Sequence, residues 1–119
     1  MNGEFINLDT AKKIQEDKNM DKDLLKIIQN YGISNQLKKL SEELYEFQEA
    51  VIEREIHWNY DTEIQDIKPL EKHIAEEMTD IMVMLMQFKE YYHIDGKEIM
   101  KIMREKIDRQ LGRIENESK

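Results

Sequence analysis

Helix-breaking residues are nearly absent from this chain. It has one proline and four glycines among 119 residues, and it is rich in Glu, Lys, Leu, Ile, Met and Gln, which favour helices. We therefore predict an all-α fold, a four-helix bundle unit that forms a single domain over residues 1–119. A variable N-terminal helical region of residues 1–30 precedes a motif-bearing core of residues 31–114.

The turn signals divide the chain into four helical segments. Asp95 followed by Glu98 is typical of a helix N-cap, and Pro69 suits the first turn of a helix. The predicted segments are Asp9 to Asn30 as one helix or two short ones, Asn35 to Tyr60, Pro69 to about His93 and Asp95 to about Glu115.

Composition excludes several classes of function. Acidic residues outnumber basic ones by 26 to 18, which gives a net charge of −8 and argues against a nucleic-acid binder. The chain has no cysteine, which rules out disulfides and cysteine–metal sites. It shows neither a secretory signal pattern nor an apolar run of the roughly 20 residues that span a bilayer. We expect a cytoplasmic protein that binds neither nucleic acid nor membranes.

Two pairs of acidic residues border apolar stripes. On the second helix Glu43 lies beside the predicted buried stripe and Glu46 lies three residues further, so the two side chains are neighbours. On the third helix Glu77 and Asp80 have the same spacing at the edge of its apolar face. The stripes consist of Leu37, Leu40, Leu44, Phe47 and Val51 on the second helix, and of Ile74, Met78, Ile81, Met82, Leu85 and Phe88 on the third.

Four carboxylates directed into one site would repel one another and would be costly to desolvate. A divalent cation relieves both problems, and Mg²⁺ prefers oxygen ligands such as carboxylates and substrate phosphates. Four acids suit two such ions and in-line attack on phosphorus. The alternative is that both pairs belong to a solvated acidic face, as most glutamates do.

The fourth helix combines an apolar stripe with a basic edge. Lys106, Arg109 and Arg113 follow one side of the helix, where they either contact phosphate oxygens or complement the helix dipole and form ordinary ion pairs. The third helix is apolar around most of its circumference, and the simplest cover for its second side is another subunit. The stripe of the fourth helix consists of Ile99, Met103, Ile107, Leu111 and Ile114.

These segments resemble a known family. "SEELYEFQEAV" followed by "HIAEEMTDIMVML" resembles the EExxE…ExxD signature of MazG-like proteins, in the all-α nucleoside triphosphate pyrophosphohydrolase superfamily. "REKIDRQLGRI" is similar to the basic helix that follows this signature, so the resemblance extends from about Tyr31 to Ile114. It implies an all-α four-helix unit that assembles as a homodimer or homotetramer. It also implies Mg²⁺-dependent hydrolysis of a nucleoside triphosphate to the monophosphate and pyrophosphate, with Mn²⁺ as a substitute.

The resemblance assigns roles by motif position. Glu43, Glu46, Glu77 and Asp80 match the metal-binding positions, and Glu42 and Glu76 match the additional acids beside them. Lys106 and Arg109 fall where the family places phosphate-contacting cations, with Arg113 as a third.

Combining the two arguments, we expect Glu46 or Glu43 to orient or deprotonate the attacking water. Trp58, near the end of the long helix, is a candidate for stacking on the base or for packing against a partner. The alternatives are a relative specific for dUTP, dCTP or phosphoribosyl-ATP, and a non-catalytic helical oligomer or partner-binding module. Nucleotide-pool cleansing is one role that the predicted activity would serve.

Overall fold

A computed structural model describes residues 8–60 and 67–118; within them, the side chains of residues 13–15 and 58–60 are not described. The described part is almost entirely helical and contains no strand, which confirms the predicted all-α fold. The N-terminal segment is one continuous helix. The helices are α1 (Leu8–Tyr31), α2 (Ile33–Tyr60), α3 (Lys68–Tyr91) and α4 (Gly96–Glu117).

One glycine separates α1 from α2. Gly32 has a φ angle of +87°, a left-handed conformation that glycine adopts without steric cost. Its N–H donates to the carbonyl of Ile28 at 2.8 Å, and its own carbonyl accepts from the N–H of Gln36 at 3.1 Å. The helical hydrogen bonding therefore ends and restarts around a single residue, and α1 passes directly into α2.

A short turn joins α3 to α4. His93 takes a left-handed conformation with φ of 55°, and the N–H of Ile94 donates to the carbonyl of Lys89 at 3.0 Å, which closes the end of α3. Asp95 then accepts a hydrogen bond on Oδ1 from the N–H of Lys97 at 2.9 Å. The predicted N-cap at Asp95 is thus confirmed.

Helices α2 and α3 pack antiparallel along most of their length. Near the start of α2, Gln36 donates to Gln87 near the end of α3, with 2.7 Å between Nε2 and Oε1. Near the other end, Arg54 Nη2 lies 3.1 Å from Oε2 of Glu71 at the start of α3. Glu43 lies between these two contacts, on the side of α2 that faces α3.

The core of the chain lies where α1 and α2 meet α3. Its buried apolar residues are Leu24 and Ile28 from α1, Ala50 from α2 and Met84 from α3. Three polar residues, Gln36, Glu43 and Gln87, are equally buried in this small core. The interior is therefore unusually polar at the contact between α2 and α3.

Much of the predicted apolar surface is exposed in the single chain. The prediction that the stripes of α2 and α3 are buried as units is wrong for Leu37, Leu44, Met78, Met82 and Leu85, each of which is exposed. The remaining stripe residues, Leu40, Phe47, Val51, Ile74, Ile81 and Phe88, are half-buried. The contact between α2 and α3 is rotated toward Gln36, Glu43 and Glu77, which leaves one side of each apolar stripe open.

Helix α4 extends away from the other three helices. Its described residues include none that is buried, and the predicted stripe is exposed at Met103, Ile107, Leu111 and Ile114. Only its first turns border α3, across a groove lined by apolar side chains that include Met82 and Met86. Within the described ranges, no helix has the length and apolar character that crossing a membrane requires.

Candidate metal centre

Three carboxylates meet at the contact between α2 and α3. Glu43, Glu77 and Asp80 each place one carboxylate oxygen so that all three oxygens lie within 4.8 Å of one another. Glu77 and Asp80 come from successive turns of α3, and Glu43 faces them from α2. The antiparallel packing of the two helices thus brings together three of the four acids that the sequence nominated.

Glu43 is buried and Glu77 is half-buried, whereas Asp80 is exposed. The side chain of Glu43 is 7% exposed and that of Glu77 is 12% exposed. One oxygen of each, Oε2 in both residues, is buried and has no hydrogen-bond partner among the described residues. Buried acceptors without a donor are rare in folded proteins because each costs the desolvation of a polar group. The two oxygens therefore point to a ligand that supplies positive charge.

The other oxygens of these carboxylates contact basic side chains on the same helices. Lys39 Nζ lies 3.1 Å from Glu43 Oε1, four residues along α2. His73 Nε2 lies 3.8 Å from Glu77 Oε1, with the same spacing on α3. The hydrogen bond and the charge of Glu43 raise the pKa of Lys39, which keeps its ammonium group protonated. The ammonium group of Lys39 thus lies at one oxygen of Glu43, while the Oε2 atoms of Glu43 and Glu77 have no such partner among the described residues.

Glu46 is the fourth nominated acid, and it lies at the exposed rim of the group. The charge of Glu43 raises the pKa of Glu46 above its usual value, with smaller contributions from desolvation and from the charge of Glu77. Glu46 is therefore electrostatically coupled to both of these carboxylates. The structure places Glu46 next to the cluster of Glu43, Glu77 and Asp80 and not within it.

This arrangement fits a divalent cation. All the available donors are carboxylate oxygens, the ligand type that Mg²⁺, Mn²⁺ and Ca²⁺ share. A bound cation would neutralise the mutual repulsion and would supply the missing partner of the buried oxygens. The residues present are thus compatible with a hard divalent ion, and the sequence-based choice of Glu43, Glu77 and Asp80 coincides with the cluster that the structure forms.

The remaining predicted site residues lie apart from this cluster or at its edge. Glu42 and Glu76 are exposed acids on α2 and α3, and Glu42 lies 4.0 Å from Lys39. Trp58 is in the last turn of α2, and its side chain lies outside the described residues.

The basic edge of α4 does not meet the carboxylates within one chain. Lys106, Arg109 and Arg113 are exposed on a helix that does not pack against α2. The phosphate-binding residues that the sequence nominated are therefore separate from the carboxylate cluster in the single chain.

Lys39 contacts the candidate metal centre but was not predicted from the sequence. Its spacing of four residues before Glu43 is the standard one for a helical ion pair, so the signal was present. The chain contains many Lys and Glu residues at such spacings, and only the burial of Glu43 makes this pair distinctive.

Comparisons of the chain with protein-family models, with curated proteins and with solved structures give no match.

Proposed function

We propose that this protein is a Mg²⁺-dependent nucleoside triphosphate pyrophosphohydrolase, which converts a ribo- or deoxyribonucleoside triphosphate to the monophosphate and pyrophosphate. The observation that carries the proposal is the cluster of Glu43, Glu77 and Asp80 with two buried, unpartnered carboxylate oxygens. The resemblance of the surrounding segments to MazG-like proteins supplies the reaction class. The cluster supports metal binding, and hydrolysis of the nucleotide is what we propose in addition.

In this proposal a divalent cation held by the carboxylates would polarise the phosphate oxygens and offset their charge. Glu46, exposed beside the three carboxylates, would act as the general base and accept a proton from the attacking water. The water oxygen would form a bond to the α-phosphorus. The bond from that phosphorus to the α–β bridging oxygen would break, and pyrophosphate would leave with the electron pair.

Lys39 provides an exposed cation beside the carboxylate cluster. Its side chain is 53% exposed, and its ammonium group already lies at the carboxylate cluster. When the charge of Glu43 is satisfied by a metal ion, Lys39 becomes available to contact a phosphate oxygen. Lys39 would therefore contact the phosphate within a single chain, without any residue of α4.

Self-association is the proposed route by which the basic edge of α4 reaches the site. Helix α4 carries six Lys or Arg and five Asp or Glu, a formal charge of +1, which leaves −9 for the rest of the chain. Helix α4 is therefore opposite in net charge to the acidic remainder of the chain, and its exposed apolar stripe can pack against the exposed apolar residues Leu44, Met78 and Met82 of α2 and α3. We expect helix α4 of a second copy of the chain to occupy that surface. Lys106, Arg109 and Arg113 of that copy would then lie near the phosphates of the bound nucleotide.

Substitution of the carboxylate cluster tests the proposal directly. Glu77→Gln and Asp80→Asn remove ligand charge with little change in shape, so we expect pyrophosphate release to fall by about a hundredfold or more, at least the effect of losing a supporting residue of a metal site. The assay should cover all NTPs and dNTPs with Mg²⁺ or Mn²⁺. Glu53→Gln, an exposed acid on α2, is the matched control and should keep full activity. Full activity in both cluster variants would refute the assignment.

A partner-binding module is the second candidate, because α4 and one side of α3 expose apolar stripes. Isothermal titration separates the two functions. The enzyme requires that Mg²⁺ or Mn²⁺ promote binding of a non-hydrolysable NTP, whereas a partner-binding module predicts no such linkage.

A further inference from the structure

A cleft of about 550 Å³ opens between α1, α2 and α3, at the end of the α2–α3 contact where α2 begins. One wall comes from α1, and the floor comes from the buried faces of α2 and α3. The residues that matter for its chemistry are Ile27, Tyr31, Gln36, Lys39, Met84 and Gln87.

Two glutamine amides form the polar part of the floor. Gln36 is 7% exposed and Gln87 is 2% exposed. Gln36 Nε2 donates to Gln87 Oε1 at 2.7 Å, and Gln87 Nε2 has only a weak contact with Met84 Sδ at 3.7 Å. Each amide has two N–H donors and two lone pairs on oxygen. The pair therefore leaves hydrogen-bonding capacity unused, and no described residue donates to Gln36 Oε1.

Packing alone does not account for this pair. A core as small as this one would gain from apolar side chains at the two positions, since replacing both partners of a buried hydrogen bond by apolar groups of similar shape is close to neutral or stabilising. Two buried glutamines that also line a cleft are instead suited to hold a polar ligand in a fixed orientation.

Lys39 connects the cleft to the carboxylate cluster. Lys39 lines the cleft, and its ammonium group contacts Glu43 of the cluster. Gln36 and Glu43 lie seven residues apart on the same side of α2, a separation of about 10.5 Å along the helix. A molecule with a polar heterocycle in the cleft would thus direct its other end past Lys39 toward the carboxylates.

We propose that this cleft binds the nucleobase of the substrate, with the Gln36–Gln87 pair hydrogen-bonding to the polar edge of the base and Tyr31 stacking on its face. Tyr31 is suited to stacking because it lines the cleft with 58% of its surface exposed. A glutamine amide presents a donor and an acceptor side by side, which matches the edge of a base. This assignment rests on the proposed function, since it uses the metal cluster to orient the rest of the nucleotide.

The decisive variant replaces both glutamines, Gln36→Leu with Gln87→Leu. A structural pair predicts a melting temperature that is unchanged or higher and an unchanged KM for every nucleotide. A base-binding pair predicts the same folded protein with KM raised about tenfold or more for the preferred nucleotide and with kcat largely retained. Gln48→Leu, at an exposed position of α2, is the matched control and should change neither quantity.

Tyr31→Ala provides a second test that does not alter the core. Loss of the stacking ring should raise KM by about tenfold, because base–aromatic stacking contributes on that scale. If the double glutamine variant fails to fold, this variant decides the assignment. An unchanged KM in Tyr31→Ala would then overturn it.

A binding experiment without phosphates separates this proposal from the proposed hydrolysis. Nucleosides should shift the side-chain amide resonances of Gln36 and Gln87 in the NMR spectrum of the unmodified protein, whether or not any triphosphate is hydrolysed. Shifts of these resonances without hydrolysis of any triphosphate would support base binding in the cleft and would refute the proposed hydrolase activity. Hydrolysis with unperturbed amide resonances, or the absence of both effects, would refute the cleft.

Discussion

Glu77 places one carboxylate oxygen where no donor of the described chain reaches it. The same carboxylate lies within 4.8 Å of oxygens from Glu43 and Asp80, so its negative charge is both poorly solvated and repelled. Such an arrangement lowers the stability of the metal-free protein. Residues that bind ligands commonly carry this cost, because a site optimised for a ligand is not optimised for folding.

Glu77→Gln should therefore stabilise the metal-free protein while it weakens metal binding. The amide removes one negative charge and adds a donor for a neighbouring carboxylate, so we expect the free energy of unfolding in chelator to rise by about 1 kcal/mol. Chemical denaturation with and without Mg²⁺ measures both effects. Glu53→Gln should show neither. A loss of stability in chelator would contradict the account of the buried oxygen.

Asp21 links pH to stability away from the candidate site. Desolvation raises the pKa of Asp21 above its ordinary value of 3.8, and the charge of Glu90 on α3 adds to the effect. The folded protein therefore binds this proton more tightly than the unfolded chain does. The contribution of Asp21 to stability should increase as the pH falls through the raised pKa, and it should be complete below 3.8.

Asp21→Asn should remove this dependence. At neutral pH the variant should be more stable than the unmodified protein, because the ionised carboxylate is no longer held near Glu90. The difference in unfolding free energy should shrink as the pH is lowered, as measured by urea denaturation over an acid series. Asp23→Asn, an exposed position on the same helix, is the matched control. A difference that is constant with pH would refute the explanation.

The three residues of the carboxylate cluster could be selected from the sequence, although their role in a site stays a prediction. Glu43, Glu77 and Asp80 follow from helical periodicity and from the family resemblance, and the structure brings them together. Gln36 and Gln87 were not predictable. A glutamine at such a position is normally solvated, and only the rotation of α2 against α3 buries both side chains.

At the level of helices, periodicity predicted the elements and their order but not which stripe is covered. The α2 and α3 stripes are wide, and a helix with apolar residues on several sides offers more than one packing surface. The observed choice buries Gln36, Glu43 and Gln87 and exposes Leu44, Met82 and other apolar residues. Sequence patterns do not contain the interhelical geometry that makes this choice.

Helix α4 provides the clearest test of self-association. Leu111→Glu places a charge in the exposed stripe, so it should lower the molar mass measured by light scattering toward that of the monomer, without loss of helicity. Asn116→Glu introduces the same charge at an exposed polar position and should leave the assembly unchanged. A monomeric unmodified protein, or an assembly that tolerates Leu111→Glu, would refute the role given to α4.

The whole molecule is more extended than its length requires. Its Cα radius of gyration is 19.6 Å, whereas a compact chain of this size has a value of about 13.5 Å. The difference reflects α4, which extends beyond the three packed helices and carries net positive charge away from an acidic body. A sequence with a uniform helical signal predicts the fold class, but it does not reveal that α4 packs against neither α1 nor α2 within the described residues.

Gly32, the single residue between α1 and α2, lies between residues of the two proposed sites. Tyr31 immediately precedes this glycine, and Gln36 and Glu43 follow it on α2. A side chain added at Gly32 would meet no atom within 4 Å, so the strain of a substitution there would come from the φ angle of +87° and not from crowding. The dihedral angles of this one residue direct the chain from α1, which carries Tyr31, into α2, which carries Gln36 and Glu43.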